Sequence, residues 1–189
     1  MELRRRPGKR GGRQAGFSLL EVMIAIVVLA VGIVSLLGLF TVAVGNMQVA
    51  QEDLIARQKA AQALESVFAA RDTAQLTYAQ IQNVANGGVF LNGPQPLLQP
   101  GPDGIIGTAD DVGPPDQLIL PGPDGLLGTG DDVIVPLSGF TRQIDITQVF
   151  LPSGAVDPSL RQITVTISYA TPQRGFRTYQ VASYISSYR

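Results

Sequence analysis

The sequence predicts an α+β fold in which one long N-terminal helix packs on a small antiparallel β-sheet. A proline-free run of mostly helix-forming residues extends from about Ser18 to Arg71. Three segments near the C-terminus alternate apolar and polar residues with a period of two, which is typical of half-buried strands. A length of 189 residues suits one helix-anchored globular domain.

The amino-acid composition excludes several kinds of active site. The chain contains no His and no Cys, which removes the usual neutral-pH general base, the thiol nucleophile and most transition-metal ligands. Disulfides are impossible, so an exported domain needs other means of stabilisation. We therefore expect a protein that is not an enzyme.

The charges are distributed unevenly along the chain. Residues 1–16 carry a net charge of +5, and the remainder carries −6. Between Phe17 and Met47 the only charged residue is Glu21, in an apolar run long enough to span a bilayer. An ordinary signal anchor would explain the run, but a carboxylate at this depth is costly and indicates a functional partner.

The string GFSLLEVMIA, which begins at Gly16, closely resembles the type IV prepilin signature. The resemblance implies a type IV pilin-like fold and cleavage between Gly16 and Phe17 by a prepilin peptidase/methyltransferase, which also N-methylates Phe17. Glu21 becomes the fifth mature residue. In a filament its carboxylate could pair with the N-terminal amine of a neighbouring subunit, compensating two desolvated charges.

The resemblance also implies the location of the protein and its interaction partners. The basic leader favours a single-pass inner-membrane protein with a cytoplasmic N-terminus and a periplasmic C-terminal domain, which later reaches the pilus at the cell surface. The expected partners are other pilins or minor pilins and an inner-membrane assembly platform.

Four regions follow from these patterns. They are a leader (1–16), a transmembrane and filament-core helix (17–47), an amphipathic helical half (48–72) and a globular domain (73–189). The alanine-rich segment 50–73 resembles PilV-type minor pilins. The apolar stripe predicted to face the core is formed by Ala50, Leu54, Ala61, Leu64 and Phe68.

Within the globular domain, segment 97–135 contains an internal repeat with a period of 21 residues. GPDGIIGTADDV (101–112) recurs as GPDGLLGTGDDV (122–133), and each copy has a Pro-Asp-Gly turn signal and two adjacent aspartates. Converging carboxylates in Gly-rich turns suit Ca²⁺, although plain turns with aspartate caps are the alternative. The candidate ligands are Asp103, Asp110, Asp111, Asp124, Asp131 and Asp132.

The C-terminal sheet is predicted over residues 140–186, with strands at 140–150, 161–169 and 176–186. The loop 170–175 joins the last two strands, and Val133–Val135 is predicted as an added edge strand. Four arginines are predicted to form an exposed strip on the sheet: Arg142, Arg161, Arg174 and Arg177.

The leading functional interpretation is a structural minor pilin of a type IV pilus. A pseudopilin of a type II secretion system shares the same anchor and is the first alternative. A DNA-binding receptor of a competence pilus is the alternative from another class, but solvated strand charges explain the arginines better, so nucleic-acid binding is not expected.

Overall fold

A computed structural model describes residues 16–171 and 175–188 of the chain. The chain divides into two compact units, one ending at Asn46 and the other beginning at Met47. One helix, α1, runs from Leu19 to Asp72, and a short 3-10 turn follows at Val84–Asn86. The strands are β1 (Gln95–Pro96), β2 (Gln117–Leu120), β3 (Val133–Pro136), β4 (Phe140–Phe150), β5 (Val156–Thr171) and β6 (Gly175–Ser186). The α+β prediction is confirmed.

The part of α1 in the first unit has no apolar partner within its own unit. Its large apolar side chains from Leu19 to Val44 are all exposed, between 46% and 82%. Of the helices in the described residues, α1 is long and apolar enough to cross a membrane, with a mean hydropathy of 3.0 in its most apolar window.

The part of α1 in the second unit buries a different stripe from the predicted one. Ala56, Ala60, Ala63, Val67 and Ala70 form the buried face, spaced alternately four and three residues apart as a helix requires. The predicted stripe was wrong. Its residues Ala50, Leu54 and Ala61 are exposed, and Leu64 and Phe68 are half-buried. The side chains of the buried face belong to the same buried core as the strands of the main sheet.

The main sheet has four antiparallel strands in the order β1-β4-β5-β6. Its face towards α1 is lined by alternate residues of β5, Ile163, Val165 and Ile167, which are fully buried. Ile144 and Ile146 of β4 belong to the same core. Strand alternation therefore places one apolar face against the helix, as the period-two pattern predicts.

The edge of β4 is covered partly by a side chain instead of a strand. β1 pairs with β4 over only two residues, Gln95 opposite Arg142 and Pro96 opposite Thr141. Beyond it, the buried Asn83 side chain donates to the Ile144 carbonyl at 2.7 Å and accepts the Ile146 N–H at 2.8 Å. The amide thereby satisfies backbone groups that a buried sheet edge would otherwise leave unpaired.

The strand predicted at Val133–Val135 exists, but its placement at the edge of the main sheet was wrong. β3 pairs with β2 in a separate two-stranded antiparallel sheet, Val133 opposite Leu120. In β4, the register shifts between Gln148 and Val149, and Phe150 is exposed although it has the same strand parity as the buried Ile144 and Ile146. A bulge changes the alternation beyond it, which accounts for the difference.

The prediction of an exposed arginine strip was also wrong for the three arginines that the structure describes. Arg142 is buried. Arg161 donates to the backbone carbonyls of Tyr78 and Ile81, and its guanidinium lies 4.1 Å from the centre of the Tyr78 ring. Arg177 pairs with Asp53 of α1 at 3.0 Å. Arg174 and the rest of the predicted loop at 172–174 lie outside the described residues.

Candidate functional site

The first candidate site is the start of α1. Ser18 caps the helix, because its side-chain oxygen accepts the backbone N–H of Glu21 at 3.2 Å and its carbonyl accepts the N–H of Val22 at 3.2 Å. Glu21 therefore occupies the third helical position, where a carboxylate also interacts favourably with the positive end of the helix dipole. The pattern Ser-x-x-Glu is typical of a helix start.

The Gly16–Phe17 bond lies just before this cap, in non-helical backbone. Phe17 is 81% exposed, and a Cβ added at Gly16 would meet no atom within 4 Å. A peptide bond outside a hydrogen-bonded helix can enter a protease cleft without prior unfolding. The bond predicted to be cut is thus accessible in the described chain.

Phe17 and Glu21 lie on the same side of the N-terminal segment, where they line one shallow apolar notch together with Ala25 and Leu29. Among the described residues of this unit, Glu21 is the sole charged group, and none of the ion pairs found includes it. Within the described residues, its carboxylate therefore has no ion-pair partner.

The second candidate site is the pair of Gly-Asp loops, loop 1 (residues 100–112) and loop 2 (residues 121–133). The two loops share most of their internal hydrogen bonds, although the Gly101 N–H to Asp111 bond of loop 1 has no counterpart in loop 2. In loop 1 the Asp103 carboxylate accepts the Ile105 N–H at 2.7 Å, and Asp110 accepts the Asp103 N–H at 3.3 Å. The equivalent distances in loop 2 are 2.8 Å and 3.3 Å. The equivalent aspartates of the two loops therefore form equivalent hydrogen bonds.

A hydroxyl group supports one carboxylate in each loop. Thr108 donates to Asp110 at 2.5 Å, and Thr129 donates to Asp131 at 2.6 Å. These hydrogen bonds are the main reason why the pKa of Asp110 and that of Asp131 lie below the ordinary value. Burial raises the pKa of Asp103, and the nearby negative charges of loop 1 add to this increase.

The two loops differ in their surroundings. Loop 1 packs on the domain: the Ile106 N–H donates to the Ser66 side-chain oxygen of α1 at 2.9 Å. Arg142 of β4 lies 3.4 Å from Asp111, and both side chains are almost fully buried. Within the described part of the chain, loop 2 has no such ion pair.

Each loop contains three of the six aspartates whose convergence the sequence predicted. Asp111 uses both oxygens for backbone N–H groups, those of Gly101 at 2.8 Å and Gly107 at 2.7 Å. The described residues include no group of three or more acidic side chains in an arrangement that could hold a metal ion. Calcium binding therefore stays a prediction.

The comparisons with known proteins concern the first site. Residues 11–37 match the family model described as the prokaryotic N-terminal methylation motif. Neither the comparison with curated proteins nor that with solved structures gives a match. The matched segment contains Gly16, Phe17 and Glu21, together with the start of α1.

The N-terminal segment of the chain is therefore similar to that of type IV prepilins, and the apolar N-terminal helix with a small antiparallel sheet is an arrangement like that of type IV pilins. The motif marks a structural class of protein, and with the apolar helix it supports membrane anchoring. It also implies processing by prepilin peptidase and association with other pilins. Pilins and pseudopilins share it, so the PilV-type assignment stays a prediction.

Sequence reasoning missed the side chains that hold loop 1 in place, Ser66 and Arg142. A signal for Arg142 was present, because it has the same strand parity as Ile144 and Ile146 and must lie on the core face. Ser66 has no comparable signal, since a serine on an amphipathic helix is ordinarily solvent-exposed.

Proposed function

We propose that the protein is a structural minor pilin of a type IV pilus, assembled into or priming the filament through its N-terminal helix. One observation carries this proposal: an uncovered apolar helix begins directly after an accessible, capped Gly16–Phe17 junction. Burial of that surface among neighbouring helices, or in lipid before assembly, would be strongly favourable. The resemblance of segment 50–73 to PilV-type proteins supports the minor role. The proposal involves no catalytic step.

In this proposal a prepilin peptidase/methyltransferase removes residues 1–16 and methylates the new N-terminus at Phe17. The inner-membrane assembly platform then moves the subunit from the bilayer into the filament, so that the globular unit reaches the cell surface. Glu21 receives the amine of a neighbouring Phe17, which fixes the axial position of one subunit relative to the next. A pseudopilin would use the same chemistry in a secretion machine.

Replacement of Gly16 by Val tests the processing step. We expect the leader to be retained, because a branched side chain beside the scissile bond would hinder its close approach to the peptidase. The open space around Gly16 means that the substitution should not disturb the chain itself. Immunoblotting of membranes should show an unshifted precursor. Gly12→Val, the same change four residues upstream, should mature normally, and normal maturation of Gly16→Val would contradict the assigned bond.

We also propose that loops 1 and 2 bind Ca²⁺ with low affinity. The support is the crowding of negative charge in loop 1. Burial is the largest cause of the raised pKa of Asp103, and the neighbouring carboxylates raise it further. A bound cation would relieve this repulsion. With a dissociation constant on the order of 10⁻⁴–10⁻³ M, 5 mM Ca²⁺ should raise the melting temperature of the full chain in detergent by about 2–6 °C. Mg²⁺ at equal concentration is the control.

Two variants distinguish the contributions of loops 1 and 2 to the expected stabilisation by Ca²⁺. Asp110→Asn and Asp131→Asn alter equivalent positions of loops 1 and 2 and should each reduce the heat of Ca²⁺ binding in calorimetry. Absence of heat and of any melting shift at millimolar Ca²⁺ would leave the loops as plain turns.

A further inference from the structure

Loops 1 and 2 have the same internal fold but opposite exposure. Ile105 and Ile106 of loop 1 are 4% and 3% exposed, whereas the equivalent Leu126 and Leu127 of loop 2 are 62% and 64% exposed. Both pairs are strongly apolar, so both gain free energy when they are covered. Within the described chain only the pair in loop 1 is covered.

The surface on which loop 1 packs shows what kind of surface the repeated Gly-Asp loop fits. It offers an apolar pocket, a hydroxyl oxygen from Ser66 for the Ile106 N–H, and the guanidinium of Arg142 for Asp111. The equivalent carboxylate in loop 2, Asp132, accepts the Gly128 N–H at 2.6 Å as Asp111 accepts that of Gly107, but it forms none of the ion pairs found among the described residues. Loop 2 thus has the features of the motif but not its receptor.

The exposed apolar pair of loop 2 is continuous with an exposed hairpin. Loop 2 connects β2 to β3, and on these strands Ile119, Leu120, Val133 and Ile134 are all more than 40% exposed. The base of the hairpin is fixed to α1 by the Lys59–Asp116 ion pair, 2.6 Å long and mostly buried. Ile119 and Ile134 pair on one face of the hairpin, and Leu120 and Val133 pair on the other. Exposed apolar side chains on a fixed support are typical of an interaction site.

We propose that loop 2 docks on a different subunit of the same filament, in an apolar pocket flanked by a guanidinium group. Leu126 and Leu127 enter the pocket as Ile105 and Ile106 enter theirs, and the partner's guanidinium pairs with Asp132. The inference rests on the proposed function, because incorporation into a filament is what brings another subunit against the globular unit.

Within the residues that the structure describes, a second copy of this chain does not offer the required surface. Its seat of matching chemistry is occupied by its own loop 1. Its other apolar groove, about 570 Å³ between α1 and the β2–β3 hairpin, is lined by one charged residue, Glu52, whose Oε2 is buried without a partner. Glu52 would repel Asp132 at short range. The occupant is therefore a different protein subunit with a basic, apolar pocket.

Thiol labelling can test this docking directly, because the chain contains no cysteine. Leu127→Cys should react rapidly with a fluorescent maleimide in the full chain in detergent and in lipid vesicles that hold this chain alone. In purified filaments we expect its labelling rate to fall by about tenfold or more, as a protein interface excludes solvent. Val112→Cys, at an 82% exposed position at the end of loop 1, should react equally in all three samples.

The possible outcomes distinguish a failure of the docking inference from a failure of the proposed function. Equal rates at Leu127→Cys in detergent and filaments, or equal loss at both cysteine positions, would overturn the docking inference. Protection in vesicles would indicate insertion into lipid and would also overturn it, as would a cross-link from Leu127→Cys to the Glu52 groove of a second copy. Adding Asp132→Lys should restore labelling in filaments, because like charges repel. Absence of the chain from filaments would instead refute the proposed function.

Discussion

Replacing Glu21 by Gln is expected to abolish incorporation into filaments while leaving cleavage after Gly16 intact. Gln keeps the size of the side chain but cannot neutralise a neighbouring amine, so an assembled subunit would leave a buried charge unpaired. Such a charge costs roughly 3–5 kcal/mol, which lowers incorporation by at least about a hundredfold. The measurement is the ratio of the protein in sheared filaments to that in membranes.

Glu65→Gln provides a matched control for this experiment. Glu65 is also an exposed carboxylate on α1, but it lies in the globular unit. We expect the control to assemble normally, since an exposed charge on a helix surface contributes little. Unchanged incorporation of Glu21→Gln would show that the carboxylate does not pair with an amine in the filament.

The largest stability effect is expected at Arg142. Its side chain is 4% exposed and faces Asp111, which is 6% exposed, so the pair is withdrawn from water. Burial lowers the pKa of the Arg142 guanidinium, while Asp111 and Asp116 favour its charged form. Arg142→Ala leaves the buried Asp111 without its cation and should destabilise the domain by about 3–5 kcal/mol.

Thermal unfolding of the full chain in detergent measures this effect. A loss of this size should lower the melting temperature by roughly 10 °C. Arg177→Ala is the control, because its ion pair with Asp53 is about one-third exposed at both side chains and should contribute less than about 1 kcal/mol. Similar melting temperatures for the two variants would contradict the structural role assigned to Arg142.

The long elements were predictable because their signals are local. The proline-free stretch places α1 within a residue or two at both ends, and alternation identifies β4, β5 and β6. The phase of the buried stripe was not predictable in the same way. It depends on which face of α1 the strands cover in the folded domain, and that face carries Ala56, Ala60 and Ala63 and not Leu54.

The site was predictable at the N-terminus and only partly in the loops. Gly16, Phe17 and Glu21 form a contiguous motif, so one short string carries the signal. The equivalence of loops 1 and 2 is also visible in the sequence. Their different burial is not, because it depends on Ser66 and Arg142, which are distant in sequence and meet loop 1 only in the folded domain.

The central claim is that cleavage at one bond yields a filament subunit, and mass spectrometry of sheared filaments tests it most directly. We predict that the N-terminal peptide of the assembled protein begins at Phe17 and carries one added methyl group on its amine. A chain that remains in the membrane with residues 1–16 still attached, or one cut at any other bond, would contradict the claim.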